Sequence, residues 1–197
     1  MTDEFGPWAP LTIDEVSRML TPLGLRWWFA GGHALELHVG RSWRDHADID
    51  VGICRSDVRL LAPLLDAWRI DVAADGNLTR WTGQPLDAAT NENNLWIGRR
   101  GGAWALDVLI GDGDDERWIF RRDPSLSLPW DEVVMVASTG ERYLAAWLQL
   151  LFKSRGNRDK DHVDATVVIP TLRHDHRTLL SSWLPTDHPW QSIVAAA

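Results

Sequence analysis

Carboxylates at short, even spacing are the first residues in this sequence that could do chemistry: Asp-x-Asp occurs at 48/50, 112/114 and 159/161. The pattern is cheap in a chain with 28 acidic residues, so the surroundings decide. Gly111-Asp112-Gly113-Asp114-Asp115-Glu116 has turn composition without the further ligands of a calcium loop, and predicts a solvated turn. The 159/161 pair, interleaved with Arg158 and Lys160, reads as a helix N-terminus. In Ala47-Asp48-Ile49-Asp50-Val51-Gly52-Ile53-Cys54 the odd positions are apolar, which predicts a strand with those residues in a core. Asp48 and Asp50 would then share the other face about 7 Å apart. Two like charges there need a cation or donors, and magnesium, held by carboxylate and phosphate oxygens, is the natural counter-ion.

A third acid, Asp107, interrupts the otherwise apolar Trp104-Ala105-Leu106-Asp107-Val108-Leu109-Ile110, where a charge has no structural excuse. Taken singly, each of the three also fits a satisfied structural aspartate; together they suggest a carboxylate triad. Gly31-Gly32 closes one apolar run and opens a helical pattern, and backbone N–H groups at such a start can hold a phosphate. A tight turn is the plainer reading of two glycines, and the turn is neither a Walker loop nor a dinucleotide fingerprint. Arg41 and Arg44 lie between this turn and the carboxylates, and the set points to a nucleoside triphosphate.

These residues require elements to carry them. Thr12-Ile13-Asp14-Glu15 is a capping box that predicts a helix from about 13 to 20, and Leu25 to Ala30 predicts a buried strand. A helix is expected over about 33–39, closed by Gly40, and another over 57–68 from Leu61, Leu64, Leu65 and Trp68. Residues 70–94 are polar and Gly-punctuated, with short strand-like pieces of undefined pairing. Leu95 to Gly98 and Ala103 to Ile110 flank a turn and predict a hairpin; Trp118 to Phe120 predicts a further strand. Ser138-Thr139-Gly140-Glu141, a second capping box, predicts a helix through Leu151, followed by helices ending near Ile169 and Leu184. The expectation is an α/β (α+β) core over 1–137, with a mixed central sheet flanked by helices, and a C-terminal helical subdomain over 138–197.

A chain of 197 residues with 45% hydrophobic and 24% charged residues can bury a substantial core, and this composition excludes disorder, collagen-like repeats and coiled coil. Net charge −8 argues against a nucleic-acid partner, although Arg99, Arg100, Arg121 and Arg122 could form a local basic strip. Cys54, the single cysteine, excludes an internal disulfide and reads as buried; the acidic Met1 to Glu4 has no apolar core after it, and no apolar run is long enough to span a bilayer. A cytoplasmic address is therefore expected. Of the 13 Trp, five (27, 28, 68, 104 and 147) read as core, and Trp43, Trp81, Trp96, Trp118 and Trp190 as candidates for an acceptor wall. His174-Asp175-His176 reads as surface.

The arrangement resembles the polymerase-β-like nucleotidyltransferase superfamily: a strand, a Gly-Gly turn, a helix, an Asp-x-Asp strand and a later single-Asp strand. More narrowly, Gly31-Gly32-His33-Ala34-Leu35 with Gly40-Arg41-Ser42-Trp43-Arg44-Asp45-His46-Ala47-Asp48-Ile49-Asp50 is similar to the aminoglycoside and lincosamide nucleotidyltransferases of bacterial resistance. Looser likenesses continue in Trp104 to Asp107, Arg121 to Pro124, Leu151 to Ser154 with Lys160, Asp161 and Asp164, and His188 to Trp190. The resemblance implies that Asp48 and Asp50 hold two magnesium ions on the triphosphate, and that Asp107 completes the second metal site and takes a proton from the attacking hydroxyl. It implies Gly31 and Gly32 as backbone donors to phosphate, Arg44 and Lys153 as charge partners, and His33, His46, Arg41 and Lys160 as outer candidates. His33 replaces the small polar residue common in the superfamily.

The implied activity is transfer of a nucleoside monophosphate, AMP from ATP, to a hydroxyl of a small molecule, with pyrophosphate released. Two other functions compete with it: a nucleotidyltransferase acting on tRNA or protein, and a non-catalytic nucleotide-binding protein. The acceptor, the nucleotide preference and the oligomeric state are not encoded in any motif.

Overall fold

The structure, a computed structural model, describes residues 5–156 and 158–197, so Met1 to Glu4, read above for a leader, lie outside the described residues. Thr12 caps α1 (Ile13–Leu20) through the expected box, its N–H donating to Glu15 Oε2 at 2.8 Å, and Val16 and Leu20 are buried. The chain then forms β1 (Trp27–Phe29) and α2 (Gly31–Val39), which Gly40 ends in the left-handed region. The Asp strand is β2 (Asp50–Cys54), shorter than expected. Its start is delayed because residues 44 and 46 are tied elsewhere, so the backbone bends at 47–48 and leaves Ala47 exposed.

The helix expected over 57–68 is a 3₁₀ run over Arg55–Asp66 instead. Pro63 lacks a donor and its ring collides with the carbonyl four residues back, which disfavours the α form. Trp68 opens β3 (Trp68–Ala74), followed by β4 (Asn77–Arg80), and these two strands supply the pairing that the polar 70–94 region left undefined. The expected hairpin is β5 (Asn94–Arg99) and β6 (Trp104–Gly113), and β7 (Arg117–Ile119) returns along the end of β6 to pair with β8 (Ser127–Pro129).

One turn of helix, α3 (Trp130–Val133), leads to β9 (Val134–Val136) and β10 (Arg142–Leu144). The second predicted capping box is thus the β9–β10 turn, closed by Thr139 Oγ1 donating to Glu141, and residues 142–144 join the sheet. The terminal helices are α4 (Ala146–Lys153), α5 (Asp159–Val168), α6 (His174–Trp183) and α7 (Trp190–Ala196). Among the described residues, no helix is long and apolar enough to cross a membrane.

The main path of the mixed sheet runs β4-β3-β5-β6-β2-β1-β10-β9. β2 is parallel to β6 and antiparallel to β1, so the two aspartate-bearing strands are neighbours. Ile49, Val51, Ile53, Leu106, Val108, Leu95, Ile97 and Ile70 are fully buried along it. Each such side chain contributes about 1.5–3 kcal/mol by leaving water. The 3₁₀ run packs on β2, β3 and β6, while α4 contacts α2, α5 and α6. Together these contacts fix the ends of the strands that carry the polar residues.

Candidate active site

Asp50 and Asp107 are direct partners in the parallel β2–β6 ladder, anchored by the Asp107 N–H donating to Ile49 O at 3.0 Å. Residues in register on adjacent strands project from one face about 4.8 Å apart at the backbone. The spacing argument expected the shared face between Asp48 and Asp50; the structure realises it between Asp50 and Asp107, with Asp48 on the preceding bend. Burial, then the charge of Asp48, pushes the Asp50 carboxyl up to about 6 against the pull of Lys153, Lys160 and Arg158. Burial and Asp50 raise Asp107 well above the carboxylate range, partly opposed by Asn94, whose Nδ2 donates to Asp107 Oδ1 at 3.1 Å.

This donor set fits magnesium. Burial disfavours the ionised form of both carboxylates and each charge raises the cost of the other, and a divalent cation offsets both effects. Among the described residues no group of three or more His, Cys, Asp or Glu side chains is placed to hold a metal ion, so the three aspartates are not gathered into one three-ligand site. Magnesium ordinarily takes one or two carboxylates, with substrate phosphates and water completing its octahedron.

The Gly-Gly turn abuts this pair because it has no side chains. Gly31 takes φ +62°, and a Cβ there would lie 1.8 Å from Asp50 Oδ2; a Cβ on Gly32 would lie 2.1 Å from His46 Cε1 and 2.6 Å from Arg44 Nη2. Gly31 N–H donates to the buried Gln149 Oε1 at 2.9 Å. Gly32 and His33 follow in the first helical turn, where backbone donors have no carbonyl one turn back. His33 stacks on His46 with ring centroids 4.3 Å apart. Burial, then the neighbouring His46, lowers the His33 ring to about 4, so it is neutral at pH 7. His46 Nδ1 lies 3.1 Å from Arg44 Nη1, and Nε2 lies 3.0 Å from Glu36 Oε1, off the line of a hydrogen bond.

Arg44 and Lys153 are tied into a buried ion network. Arg44 donates to Asp164 through Nε at 2.8 Å and Nη2 at 3.0 Å, and Trp43 Nε1 adds a bond at 3.0 Å. Lys153, 7% exposed, sits 3.0 Å from both Asp161 and Asp164, and Arg158 reaches Asp161 at 2.7 Å. Burial works against both aspartates, yet these cations outweigh it and hold them below the usual carboxylate range. Lys160 and Arg41 are exposed. Arg41 lines a surface cavity with His33, Glu36 and Ser42.

Two cavities, each about 270 Å³, lie along β5 and β6, and Asp107 lines the second. One continues along β2 and β6 past Gly52 and Gly111, under Trp28 and beside Trp118, Arg121, Phe152 and Gln149. Trp28 fits there only because a Cβ on Gly52 would strike its ring at 2.2 Å. The other is lined by Asp107, Trp96, Phe5 and the β3–β4 turn, and Asn94 borders both.

Of the expected acceptor wall, Trp81, Trp118 and Trp190 are buried, because their indoles fill the core; Trp43 is half-buried against Asp164, and Trp96 keeps a cavity-facing position. Trp27, Trp28, Trp104 and Trp147 are core as expected, while Trp68 is only half-buried. The four-arginine strip does not form: Arg99 and Arg100 sit at the β5–β6 turn, whereas Arg121 bonds Ile110 O at the far end of β6. Cys54 is buried, and His174 is exposed. Asn94, Gln149 and Phe5 were missed. A lone glutamine in an apolar helix was a usable signal for Gln149; nothing local marks the other two.

Residues 12–84 match the family model described as aminoglycoside-2''-adenylyltransferase. No curated protein matches the sequence. Among solved structures, the lincomycin-bound lincosamide antibiotic adenylyltransferase LnuA is 18% identical, with 79% of this chain and 95% of that one covered at a TM-score of 0.55. The antibiotic-resistance factor ANT(2'')-Ia in solution is 16% identical, with 93% and 91% covered and the same TM-score. At these identities the likeness is one of fold.

Proposed function

From an aminoglycoside/lincosamide nucleotidyltransferase-like sequence signature and fold, we propose that the chain is a magnesium-dependent enzyme. It transfers AMP from ATP to a hydroxyl of a small molecule such as an aminoglycoside or lincosamide antibiotic, and releases pyrophosphate. The observation that carries this reading is the in-register Asp50–Asp107 pair against the side-chain-free start of α2.

Asp48 and Asp50 would hold one magnesium ion on the triphosphate, and Asp50 with Asp107 a second. Bound magnesium supplies the positive charge that neutralises the phosphates and eases departure of pyrophosphate. Gly32 and His33 present backbone N–H groups to the phosphates, since the Gly31 donor is already taken by Gln149. Lys160 is an exposed cation whose charge reaches Asp50, while Arg44 and Lys153 act through the field of their network. The neutral His33 ring adds no repulsion to Asp48 and no competing charge at the phosphates.

Asp107 accepts the hydroxyl proton, and burial and the neighbouring Asp50 raise its affinity for protons, which favours that uptake. Asn94 Nδ2 donates to Asp107 Oδ1 and orients the carboxyl. The acceptor oxygen bonds to the α-phosphorus, the α–β bridging P–O bond breaks in line, and pyrophosphate leaves with the electron pair. The cavity beneath Trp28 adjoins Gln149 and the glycine turn, which supports it as the nucleoside's place. A cytoplasmic address, where ATP and magnesium are held, suits the reaction.

Purified protein with magnesium and labelled ATP is offered a panel of aminoglycosides and lincosamides. Pyrophosphate release with at least one is expected, and none with any would overturn the reading. Asp107→Asn should abolish turnover while nucleotide binding by calorimetry persists; wild-type turnover would remove Asp107 from the mechanism.

A further inference from the structure

The segment ahead of α1 is rich in aromatic residues and prolines, yet it is ordered along β6. Trp104 N–H donates to Pro7 O at 3.0 Å, Ala9 N–H to Trp104 O at 2.8 Å, and Leu11 N–H to Ala105 O at 3.0 Å. Trp104 Nε1 adds a bond to Phe5 O at 2.7 Å. The segment takes the place beside β6 that β2 vacates by bending at 47–48.

Its side chains meet Trp96. Phe5 and Trp8 approach the Trp96 ring edge to face at 5.9 and 5.2 Å, and Trp104 does so at 5.5 Å. Three such contacts fix an indole that is itself only half-buried. Trp96 is the direct partner of Asp107 in the β5–β6 ladder, so the indole and the carboxylate leave the sheet on one face. Both line the cavity of about 270 Å³ that also takes in Phe5 and Asp75. Asp75, on the exposed β3–β4 turn, gives one carboxylate oxygen to Asn91 Nδ2 at 2.7 Å and leaves the other open.

We infer that this cavity seats the acceptor and that Trp96, clamped by Phe5 and Trp8, sets acceptor specificity by stacking on a saturated, amine-bearing ring. The inference rests on the reading under Proposed function. A fixed indole face takes the C–H face of a sugar-like ring and attracts a protonated amine, and Asp75 offers that amine a counter-charge. The group that accepts the proton and the group that orients the ring then stand in one cross-strand pair. The nucleoside cavity lies on the other side of Asn94.

The test uses the full chain labelled with 5-fluorotryptophan, the Trp96 resonance being assigned by its loss in Trp96→Phe. Tobramycin and lincomycin are titrated in, and pyrophosphate release is measured in parallel for wild type, Trp96→Leu and Trp96→Phe. The expected result is movement of the Trp96 resonance by the compound that is turned over. Trp96→Leu should raise the acceptor KM about tenfold with the ATP KM unchanged, and Trp96→Phe should recover most of it. Turnover with a still Trp96 resonance and a wild-type KM in Trp96→Leu overturns the inference and leaves the nucleotidyltransferase reading standing. A moving resonance without pyrophosphate release upholds the ring-binding cavity and overturns the reaction. Neither movement nor turnover overturns both.

Discussion

Removing one charge from the Asp50–Asp107 pair should stabilise the metal-free protein while abolishing its chemistry. Asp50 is held at about 6 instead of the ordinary 3.8, so folding favours its protonated form. The sign follows: that preference stabilises the fold fully below 3.8 and is lost as pH rises through about 6. At about 1.4 kcal/mol per tenfold, the ionised carboxylate therefore costs the wild type about 3 kcal/mol near pH 7.5 and about half that near pH 5. The neutral amide introduced by Asp50→Asn would carry no such cost at either pH. Urea denaturation in EDTA should thus show the variant more stable by about 3 kcal/mol near pH 7.5, or about 6–12 °C in Tm, with the gap halved near pH 5. Magnesium with a nonhydrolysable ATP analogue should narrow the gap by binding the wild type alone. A variant no more stable than wild type near pH 7.5, or a gap that does not shrink in acid, would refute the reasoning that burial and the charge of Asp48 leave an ionised Asp50 costly in the metal-free fold.

Three further outcomes are expected. Asp164→Ala strips the shared partner from Arg44, Lys153 and Trp43, and should cost about 3–5 kcal/mol in urea denaturation, because it leaves buried charge uncompensated. Gly31→Ala forces a Cβ onto Asp50 at a φ that L residues rarely adopt, so folded material should lose at least about tenfold in kcat/KM even where circular dichroism is native-like. His33 should titrate near 4 by NMR, and since its folded affinity for protons is depressed, the stability it contributes is present above 6.5 and lost as pH falls toward 4; His33→Gln should flatten that acid limb.

Local chemistry was legible in this sequence wherever a residue broke the rule of its own element. Asp107 stood out as a charge in an apolar strand, and Gly31-Gly32 as a break between strand and helix; both lie at the site. The α1 capping box behaved as written because its two hydrogen bonds are made within four residues. The same four-residue pattern at 138–141 did not start a helix, since β10 pairs with both β1 and β9 and that ladder claims residues 142–144. The family resemblance implied Arg44 and Lys153 as charge partners of the phosphates, yet the structure ties both to Asp164, which reaches Arg44 from a helix over 100 residues later, where no local spacing reveals such a partner.

The strand expected from Ala47 begins only at Asp50, for a reason that also explains the acceptor wall. Side chains two apart share a face only while the backbone stays extended, and at 47–48 it does not. Arg44 is pulled to Asp164 and His46 is stacked on His33, so the chain turns away from β6 before Asp48 can join the ladder. Asp50 then takes Asp107 as its partner, which creates the charge pair that calls for a cation. The vacated place beside Ala105 is filled by Leu11, and the segment leading to it carries Phe5 and Trp8 onto Trp96. One bend, fixed by one buried ion network, thus sets both the carboxylate cradle and the aromatic wall beside it. Loosening that network should disturb magnesium affinity and acceptor KM together, whereas substitutions confined to the wall should move acceptor KM alone.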